Sequence, residues 1–374
     1  MLEGERVPDC AACWKQEDNG GVSRRMIEIA TFRDPGPKLL KLFRKPEAVI
    51  RNMKAEALEN DFILRHGPSD VEVEVGNLCN LNCRMCSPTY SSKIENDPVH
   101  SKWYSDVKLN QQSVKATRFP TKIHWFKERA FLYGELFDQP EEIRKLTFKG
   151  GEPFASKDAI DVLDYLSKEG RPDKTEIHVV TNGTIAEPKL LGIVGKFKLL
   201  VVAVSLDGIG DLYEYIRYPA KWGAVAENMR AFDKQRNVTL MTSITFQAYN
   251  ALRIVELFRF CDQFGYRINV STLTYPLFLA ATTLPPTARQ AAANRLKEYA
   301  EADCKQENKA NILALAGELE GAGDRLDVES LKQFMQFTND LDQSRDQRFS
   351  DVNAELLGHI EGSGIPWTQE TRFA

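Results

Sequence analysis

Short β-rich runs alternate with helical patterns from residue 71 onward, and this alternation constrains the fold more than any other feature. Alternating strand and helix signals are typical of repeated β-α units built around a parallel sheet. The sequence predicts six strands, "VEVEVG" (71–76), "KLTFKG" (145–150), "EIHVVTN" (176–182), "LLVVAVSLDG" (199–208), "VTLMTSITF" (238–246) and "YRINVSTLT" (266–274).

The segments between the strands carry apolar residues at i, i+3, i+4 and i+7, the pattern of helices that pack one face on a sheet. They include "KDAIDVLDYLSKEG", "AEPKLLGIVGKF", "WGAVAENMRAFDKQ" and "ALRIVELFRFCDQFG". Six units are fewer than a closed α/β barrel contains, so the sequence predicts the α/β class with an open or partial (β/α)6 barrel. Its functional face should lie at the carboxyl ends of the strands.

Three segments are predicted along the chain. They are an N-terminal extension (1–69), the barrel core (70–283) and a mostly helical C-terminal extension (284–374). Residues 87–144 are too many for an ordinary β-α connection, so we interpret them as an insertion. Within it, "IHWFKERAFLYGELF" predicts an aromatic-rich helix, and one interpretation of the insertion is a lid.

Composition and charge favour a cytoplasmic protein. The formal net charge of −4 comes from interspersed signs without a long basic run, so no nucleic-acid or membrane partner is expected. The first thirty residues lack the apolar stretch of a secretory signal, and "LLVVAVSL" (199–206) is too short to span a bilayer. In such a chain, seven cysteines favour metal or catalytic use over disulfides.

Three of the cysteines, Cys79, Cys83 and Cys86, form a C-x3-C-x2-C pattern directly after the first predicted strand. Thiolates at this spacing can converge on one soft metal centre. A structural zinc ion needs four ligands, and the nearest downstream histidine, His100, lies in an unpatterned loop. A [4Fe-4S] cluster anchored by only three thiolates leaves one iron open to another ligand. The cysteines alone leave both zinc and a cluster possible.

The segment "CNLNCRMC" resembles the cluster-binding loop of the radical S-adenosylmethionine enzymes. The resemblance implies that the three cysteines bind a [4Fe-4S] cluster and that its open iron takes S-adenosylmethionine. Reductive cleavage of that cofactor then yields a 5′-deoxyadenosyl radical, which abstracts hydrogen from a substrate. The resemblance also implies a partial (β/α)6 barrel, a position for Met85 near the adenine, and an external electron donor of the flavodoxin or ferredoxin type.

The segment "FKGGEP" ends the second predicted strand. Two glycines allow a close backbone approach to a ligand, and a glutamate can accept hydrogen bonds from an ammonium group. An ordinary turn is the alternative interpretation. By resemblance, Gly150, Gly151, Glu152 and Pro153 match the family's Gly-Gly-Glu motif, whose backbone and carboxylate hold the methionine amino group.

Polar residues also follow strands three to five. Asn-Gly in "VVTNGT" (179–184) and Asp-Gly in "SLDG" (205–208) are common turn compositions. By resemblance, Ser205 and Arg217 match a pair that binds the methionine carboxylate, and a guanidinium suits planar carboxylate recognition. The resemblance gives Asn182 and Asp207 ribose or positioning roles.

Gln247 and Asn250, in "SITFQAYN", follow strand five. They either face the adenosine or substrate, or form a turn. His178 is predicted to be a core or strand residue. The carboxylates of "NDLDQSRDQRF" (339–349) are predicted to form a solvated helix face, and the alternative is that they reach the mouth of the barrel. The aromatic residues of the insertion are predicted to pack in the core, with lining of a substrate cavity as the alternative: Trp103, Tyr104, Trp125 and Phe126.

The N-terminal Cys10-x2-Cys13 pair, with Glu17, Ser23 and Arg24, resembles the segment before the core in radical enzymes with a truncated auxiliary-cluster, or twitch, domain. Such a domain needs further cysteines, and none precedes Cys10. We therefore interpret the pair as a remnant or zinc-binding knuckle, with a missing N-terminal portion as the alternative. Cys261 and Cys304 are predicted to be small buried residues rather than ligands.

Two function classes follow. The first is a radical S-adenosylmethionine enzyme of unknown substrate, and the twitch-like segment favours the peptide-modifying branch. The second is a non-enzymatic, zinc-stabilised binding module, which explains the clustered cysteines together with Cys10 and Cys13. It leaves Ser205, Arg217 and the Gly-Gly-Glu-Pro segment unexplained.

Overall fold

The structure of the protein, a computed structural model, describes residues 6, 14, 17–18, 26, 46–62, 67–105 and 125–374. The chain divides into two compact units, Met1–Gly67 and Pro68–Ala374. The first unit contains helix α1 (Pro46–Glu59). Cys10 and Cys13 lie outside the described residues, so the predicted second metal site and the predicted segment boundaries at 69 and 283 stay predictions.

Six parallel strands form the centre of the second unit. They are β1 (Asp70–Glu74), β2 (Lys145–Lys149), β3 (Glu176–Thr181), β4 (Leu199–Ser205), β5 (Val238–Phe246) and β6 (Arg267–Thr272). Their spatial order follows the sequence from β1 to β6, and each neighbouring pair is parallel. In the described chain β1 and β6 are the two edges, so the sheet is open, which confirms the predicted α/β partial barrel.

Helices cross over between these strands. In chain order the second unit contains α2 (Ser92–Glu95), α3 (His100–Ser105), α4 (Lys157–Glu169), α5 (Pro188–Val194), α6 (Gly210–Ile216), α7 (Trp222–Asp233) and α8 (Ile254–Phe264). The C-terminal region adds α9 (Pro286–Ala302), α10 (Gln306–Gly321), α11 (Val328–Arg345), α12 (Phe349–Val352) and α13 (Ala354–Gly362). The predicted helical C-terminal extension is thus confirmed.

Local sequence explains where the crossover helices begin and end. The Ser156 hydroxyl accepts a hydrogen bond from the Ala159 N–H and caps α4, whose buried residues then recur at three- and four-residue spacing. Helix α8 ends at Gly265, which adopts a left-handed φ of 71° that a residue with a side chain rarely takes. Alternate side chains of the strands are buried. In β2, for example, Leu146 and Phe148 are fully buried and the residues between them are partly exposed.

The parallel arrangement brings the loops after the strands to one edge of the sheet. The register pairs Glu74 with Lys149 at the ends of β1 and β2, and Ser205 with Ser243 near the ends of β4 and β5. The segments that carried the sequence motifs therefore emerge side by side.

The aromatic-rich segment of the insertion is not one helix, as the sequence had predicted. Over its described part it runs as a 3₁₀ turn (Trp125–Lys127), a three-residue α-helical turn and a π-helix (Leu132–Leu136). Leu132 and Phe137 are both buried, and the Phe137 N–H donates to the Leu132 carbonyl. Residues five apart point about 140° apart on an α-helix, whereas a π turn returns them to one side. Burial of both side chains thus favours the wider turn.

Two further predictions concern side chains near this region. Trp103 and Phe126 are buried in the core, as predicted, whereas residues 106–124 lie outside the described chain and the lid interpretation stays a prediction.

The predicted solvated face of "NDLDQSRDQRF" is wrong at Asp340. This carboxylate is buried and accepts hydrogen bonds from the Trp103 indole and the Phe373 N–H. Among the described residues, no helix is long and apolar enough to cross a membrane.

Candidate functional site

The cysteine loop, residues 79–86, follows β1 and is held by backbone hydrogen bonds to the last residue of α6 and to the segment after it. The Asn82 N–H donates to the Tyr218 carbonyl at 2.7 Å, and the Arg84 N–H donates to the Ile216 carbonyl at 2.9 Å. Cys83 lies between these two hydrogen bonds and is buried. Two fixed anchor points therefore hold the middle cysteine of the motif inside the protein.

The three thiols of the loop lie within electrostatic range of one another. Burial raises the pKa of the Cys83 thiol to about 12, the charge of Arg217 opposes this rise, and the charge of Cys79 adds to it. Burial also raises the pKa of Cys86, and the charges of Cys83 and Cys79 act in the same direction. A loop that concentrates three thiols in this way has the ligand chemistry of a soft metal centre.

No group of three or more His, Cys, Asp or Glu side chains in the described chain is arranged to hold a metal ion. Each cysteine of a [4Fe-4S] cluster binds a different iron atom, so such a cluster does not require the three sulfurs to meet at one ion. The three thiols of the cysteine loop are compatible with such a cluster.

The glycine loop, residues 150–153, packs directly against the start of the cysteine loop. The Gly151 N–H donates to the Gly76 carbonyl at 2.8 Å. A Cβ atom on Gly151 would lie 2.3 Å from the Leu78 carbonyl oxygen, and one on Gly150, where φ is +120°, would lie 2.8 Å from the Gly76 oxygen. The close approach that two glycines predicted is therefore made to the backbone that leads into the cysteines.

The Glu152 carboxylate joins the ends of β2 and β3. It is fully buried; Oε1 accepts hydrogen bonds from the Thr181 hydroxyl at 2.8 Å and the Phe154 N–H at 3.0 Å, and Oε2 accepts one from the Asn182 N–H at 2.6 Å. Burial raises the pKa of Glu152, while these donors oppose the rise. The carboxylate thus has a structural role, and its predicted contact with an amino group stays a prediction.

Asn182 lies between the end of β3 and the cysteine loop. Its amide Nδ2 donates to Asn80 Oδ1 at 2.8 Å and lies 3.9 Å from Cys79 Sγ, and its Oδ1 accepts from the Thr184 N–H at 2.9 Å. The side chain therefore fixes the position of the first cysteine relative to the sheet. Of its predicted ribose and positioning roles, this geometry favours positioning.

Asp207 and Arg217 form a buried ion pair beside Cys83. Arg217 Nη2 lies 2.8 Å from Asp207 Oδ2, and Asp207 Oδ1 accepts from the Thr245 N–H at 2.8 Å. Burial raises the pKa of Asp207, and the charge of Arg217 opposes the rise. Arg217 Nη1 reaches to 4.0 Å from Cys83 Sγ, so this guanidinium links the end of β4 to the cysteine loop.

Asn250 and Gln247 organise the end of β5. The Asn250 amide donates to the Asp207 carbonyl at 3.0 Å and to the Thr245 carbonyl at 2.8 Å, and Asn250 Oδ1 accepts from the Gln247 N–H at 2.9 Å. Asn250 thus forms the turn that was one of its two predicted roles. Gln247 is fully buried and its Oε1 has no hydrogen-bond partner among the described residues.

The remaining predicted residues lie around this site. Met85 is partly buried against the core, Pro153 begins a buried 3₁₀ turn, and Ser205 ends β4 opposite Ser243. Arg217 forms an ion pair with Asp207, and the predicted binding of a carboxylate by Ser205 and Arg217 stays a prediction.

One set of residues was missed by sequence reasoning, namely the contacts between the cysteine loop and α11. Arg84 is fully buried; its Nη2 lies 2.5 Å from Asp342 Oδ1, and its guanidinium lies 3.7 Å from the Tyr215 ring centroid. His100 is also buried, within hydrogen-bond distance of Asn82. A signal was available in α11, where buried residues at three- and four-residue spacing continue into a charged one: Leu331, Phe334, Thr338, Leu341 and Arg345.

Two orphaned atoms test whether a polar cofactor fits here. Arg217 Nε and Gln247 Oε1 are buried without a hydrogen-bond partner in the described part of the chain. Buried polar groups are normally paired, so an unpaired donor and an unpaired acceptor are compatible with a polar ligand at this place. A carboxylate can accept from the guanidinium, and an amine or hydroxyl can donate to the amide oxygen. S-adenosylmethionine carries all these groups, so the residues fit it.

Comparisons with known proteins identify the family of this chain. The family model described as Radical SAM superfamily matches residues 73–261, half of the chain. No curated protein matches. Among solved structures, native anSMEcpe with bound AdoMet is similar at 16% identity and a TM-score of 0.44, over 65% of this chain and 62% of that one.

Two other similar structures are Streptococcus suis SuiB bound to its precursor peptide SuiA and TYW1 with a lysine-pyruvate adduct. The first has 14% identity and a TM-score of 0.38 over 84% of this chain and 57% of SuiB. The second has 15% identity and a TM-score of 0.33 over 61% of this chain and 73% of TYW1. The chain thus covers less than two thirds of the length of anSMEcpe and SuiB. The matched family span includes the cysteine loop, the glycine loop and the polar ends of β3, β4 and β5, and the chain belongs to the radical SAM superfamily of enzymes.

Proposed function

We propose that this chain uses Cys79, Cys83 and Cys86 to hold a [4Fe-4S] cluster and that it reductively cleaves S-adenosylmethionine bound beside them. The observation that carries the proposal is the meeting of the cysteine loop, the glycine loop and the Asp207–Arg217 pair at one edge of an open parallel sheet. Catalytic sites of barrel enzymes lie at this edge.

When bound, the cluster and S-adenosylmethionine supply the electron transfer and the 5′-deoxyadenosyl radical that abstracts hydrogen from substrate. The protein supplies binding, orientation and exclusion of water. We infer that Arg217 Nε donates to the cofactor carboxylate and that Gln247 Oε1 accepts from the adenosine or the substrate, because both atoms are buried and unpaired in the described structure. Asn182 and Glu152 hold the surrounding backbone in place.

The substrate class and the electron donor are also proposals. A peptide substrate follows from the twitch-like Cys10-x2-Cys13 segment, which lies outside the described residues. Reduction of the cluster needs an external one-electron donor, for which we propose a flavodoxin or ferredoxin type of protein.

The test is anaerobic reconstitution with iron and sulfide, dithionite reduction and electron paramagnetic resonance with and without S-adenosylmethionine. Chromatography for 5′-deoxyadenosine completes it. We expect a reduced-cluster signal that changes when S-adenosylmethionine is added, together with 5′-deoxyadenosine formation. Folded, reconstituted protein that shows zinc by metal analysis and no cluster signal would contradict the proposal and favour a zinc-stabilised binding module.

A further inference from the structure

Arg345, the last residue of α11, is a buried arginine at the back of the cysteine loop. Its side chain continues the buried stripe of α11, and the residue is 7% exposed. The guanidinium carbon lies 5.1 Å from the centroid of the Tyr218 ring. Tyr218 is the residue whose carbonyl anchors Asn82, the neighbour of Cys83.

The guanidinium of Arg345 has no acceptor suited to its charge. Its Nε and Nη1 have no hydrogen-bond partner in the described part of the chain. Its Nη2 lies 3.2 Å from His100 Nδ1, and the same His100 atom lies 2.8 Å from Asn82 Oδ1.

The orientation of Asn82 decides the nature of the contact between Arg345 and His100. The Asp97 carboxylate can only accept hydrogen bonds, so Asn82 turns its amide nitrogen to Asp97 and its oxygen to His100. His100 Nδ1 must then donate its proton to Asn82. A nitrogen that donates to Asn82 cannot also accept from Arg345, so this contact leaves Arg345 Nη2 unsatisfied as well.

Other buried arginines near the loop are compensated. Arg84 pairs with Asp342, and Arg217 pairs with Asp207. Arg345 has no carboxylate within ion-pair distance in the described structure. Burial lowers the pKa of Arg345 to about 10, the charge of Arg84 adds to this effect, and the more distant charge of Asp97 opposes it. Arg345 therefore still carries its positive charge at neutral pH.

A buried charge that has no ion-pair partner destabilises a protein unless a ligand neutralises it. Through His100, the Arg345 guanidinium is connected to Asn82, the residue directly before Cys83. The cysteine loop is also where cluster binding would concentrate negative charge, since the cluster is held by thiolates.

We propose that Arg345 is the fixed countercharge of the anionic centre held by Cys79, Cys83 and Cys86, so that α11 of the C-terminal extension raises the reduction potential of that centre. The inference rests on the proposed function and adds to it a positioning residue that no motif of the sequence predicted. Reduction adds one negative charge to a cluster, and a nearby positive charge favours the reduced form.

The test is a redox titration of the reconstituted full chain monitored by electron paramagnetic resonance. Arg345→Gln should lower the ratio of reduced to oxidised cluster at least tenfold at a fixed potential, a shift of about 59 mV for one electron. Arg345→Lys, which keeps the charge, should retain most of the wild-type reduction potential. The exposed Arg348→Gln variant is the matched control and should behave like the wild type.

The thermal midpoint of the cluster-free chain is a second readout. Arg345→Gln removes a buried charge that has no ion-pair partner, so it should raise that midpoint. If Arg345 had only a structural role, the same substitution would lower the midpoint. An unchanged potential in a loaded Arg345→Gln variant, or a lowered midpoint in a variant that holds no cluster, would overturn the inference alone. A wild-type chain that loads no cluster would overturn the proposed function, and the inference with it.

Discussion

The Glu152 N–H donates a 2.7 Å hydrogen bond to the carbonyl oxygen of Leu78, the residue directly before Cys79. The glycine loop thereby holds the cysteine loop at its entry, and the Gly151 bond to Gly76 adds a second connection. Two segments that the sequence separates by about 70 residues form one backbone unit. A change in either loop should therefore affect the other.

Substitution of Gly151 tests this connection. In Gly151→Ala the new methyl group would lie 2.3 Å from the Leu78 oxygen, so the backbone must shift. We expect a loss of about 1–3 kcal/mol in unfolding free energy and fewer iron atoms per chain after reconstitution. The control is Gly192→Ala on α5, where the added carbon would have no atom within 4 Å apart from its chain neighbours and the nearby backbone of its own helix. It should retain iron and gain about 0.5–1 kcal/mol. Equal iron content in both variants would contradict the prediction.

The cysteines divide into ligands and packing residues. Ala substitution of Cys79, Cys83 or Cys86 should abolish the broad iron-sulfur absorbance and the cleavage of S-adenosylmethionine, because each removes a thiolate donor. Cys261→Ala should retain both, since Cys261 is buried in α8 with its sulfur 3.8 Å from the Thr242 hydroxyl. Iron content near four atoms per chain would also rule out a complete second [4Fe-4S] centre at Cys10 and Cys13. Survival of cluster absorbance in Cys83→Ala would refute the assignment.

The Asp207–Arg217 pair should contribute far more to stability than an exposed pair. Asp207→Asn leaves the Arg217 charge buried without its counterion, so we expect a loss of about 3–5 kcal/mol in unfolding free energy. Asp211→Asn breaks an ion pair with Arg253 in which the carboxylate is exposed, and it should cost less than about 1 kcal/mol. Urea unfolding of both variants measures the difference, and similar losses would mean that Asp207 does not carry a buried charge.

The lowered pKa of Glu176 predicts that the folded protein loses stability at acid pH. His178 and Lys198 hold its pKa at about 2; Lys198 Nζ lies 2.6 Å from its carboxylate and His178 Nε2 lies 4.0 Å away. Because this pKa is below the unfolded value of about 4.3, the stabilisation is complete above that value and is lost as the pH falls through the folded pKa.

The measurement is unfolding free energy as a function of pH for the wild type and Glu176→Gln. Solvent screens these partly exposed groups, so we expect a difference of about 1 kcal/mol at pH 6 that narrows toward pH 2. Glu187→Gln, at an exposed position, serves as the control. A difference that stays constant over this range would show that the carboxylate charge is not the source.

The sequence predicted the sheet well because strand periodicity and helix caps are local properties. All six strands lie within a few residues of their predicted bounds, and α4 and α8 end at the predicted glycines. The prediction of one helix for the aromatic segment was wrong because the burial of both Leu132 and Phe137 favours a π turn there. Likewise, the uses of Glu152 and Asp207 as buried connectors depend on neighbouring strand ends, which local patterns do not specify.

The contact between Arg84 and Asp342 spans 258 residues of sequence, so no pattern within the cysteine motif could have predicted it. In the sequence, Arg84 occupies a spacer position between Cys83 and Cys86, and nothing about that position predicts its burial. Its burial depends on the docking of α11, and the same docking brings Arg345 to the back of the loop.

That contact also sets an order of events during protein synthesis. Arg84 leaves the ribosome long before Asp342 is made, and all six strands precede this acceptor in the chain. A chain that folds as it is translated can complete its sheet while the Arg84 guanidinium still has no counterion. The cysteine loop therefore reaches its final enclosure only when α11 docks, which makes this enclosure a later step than formation of the sheet.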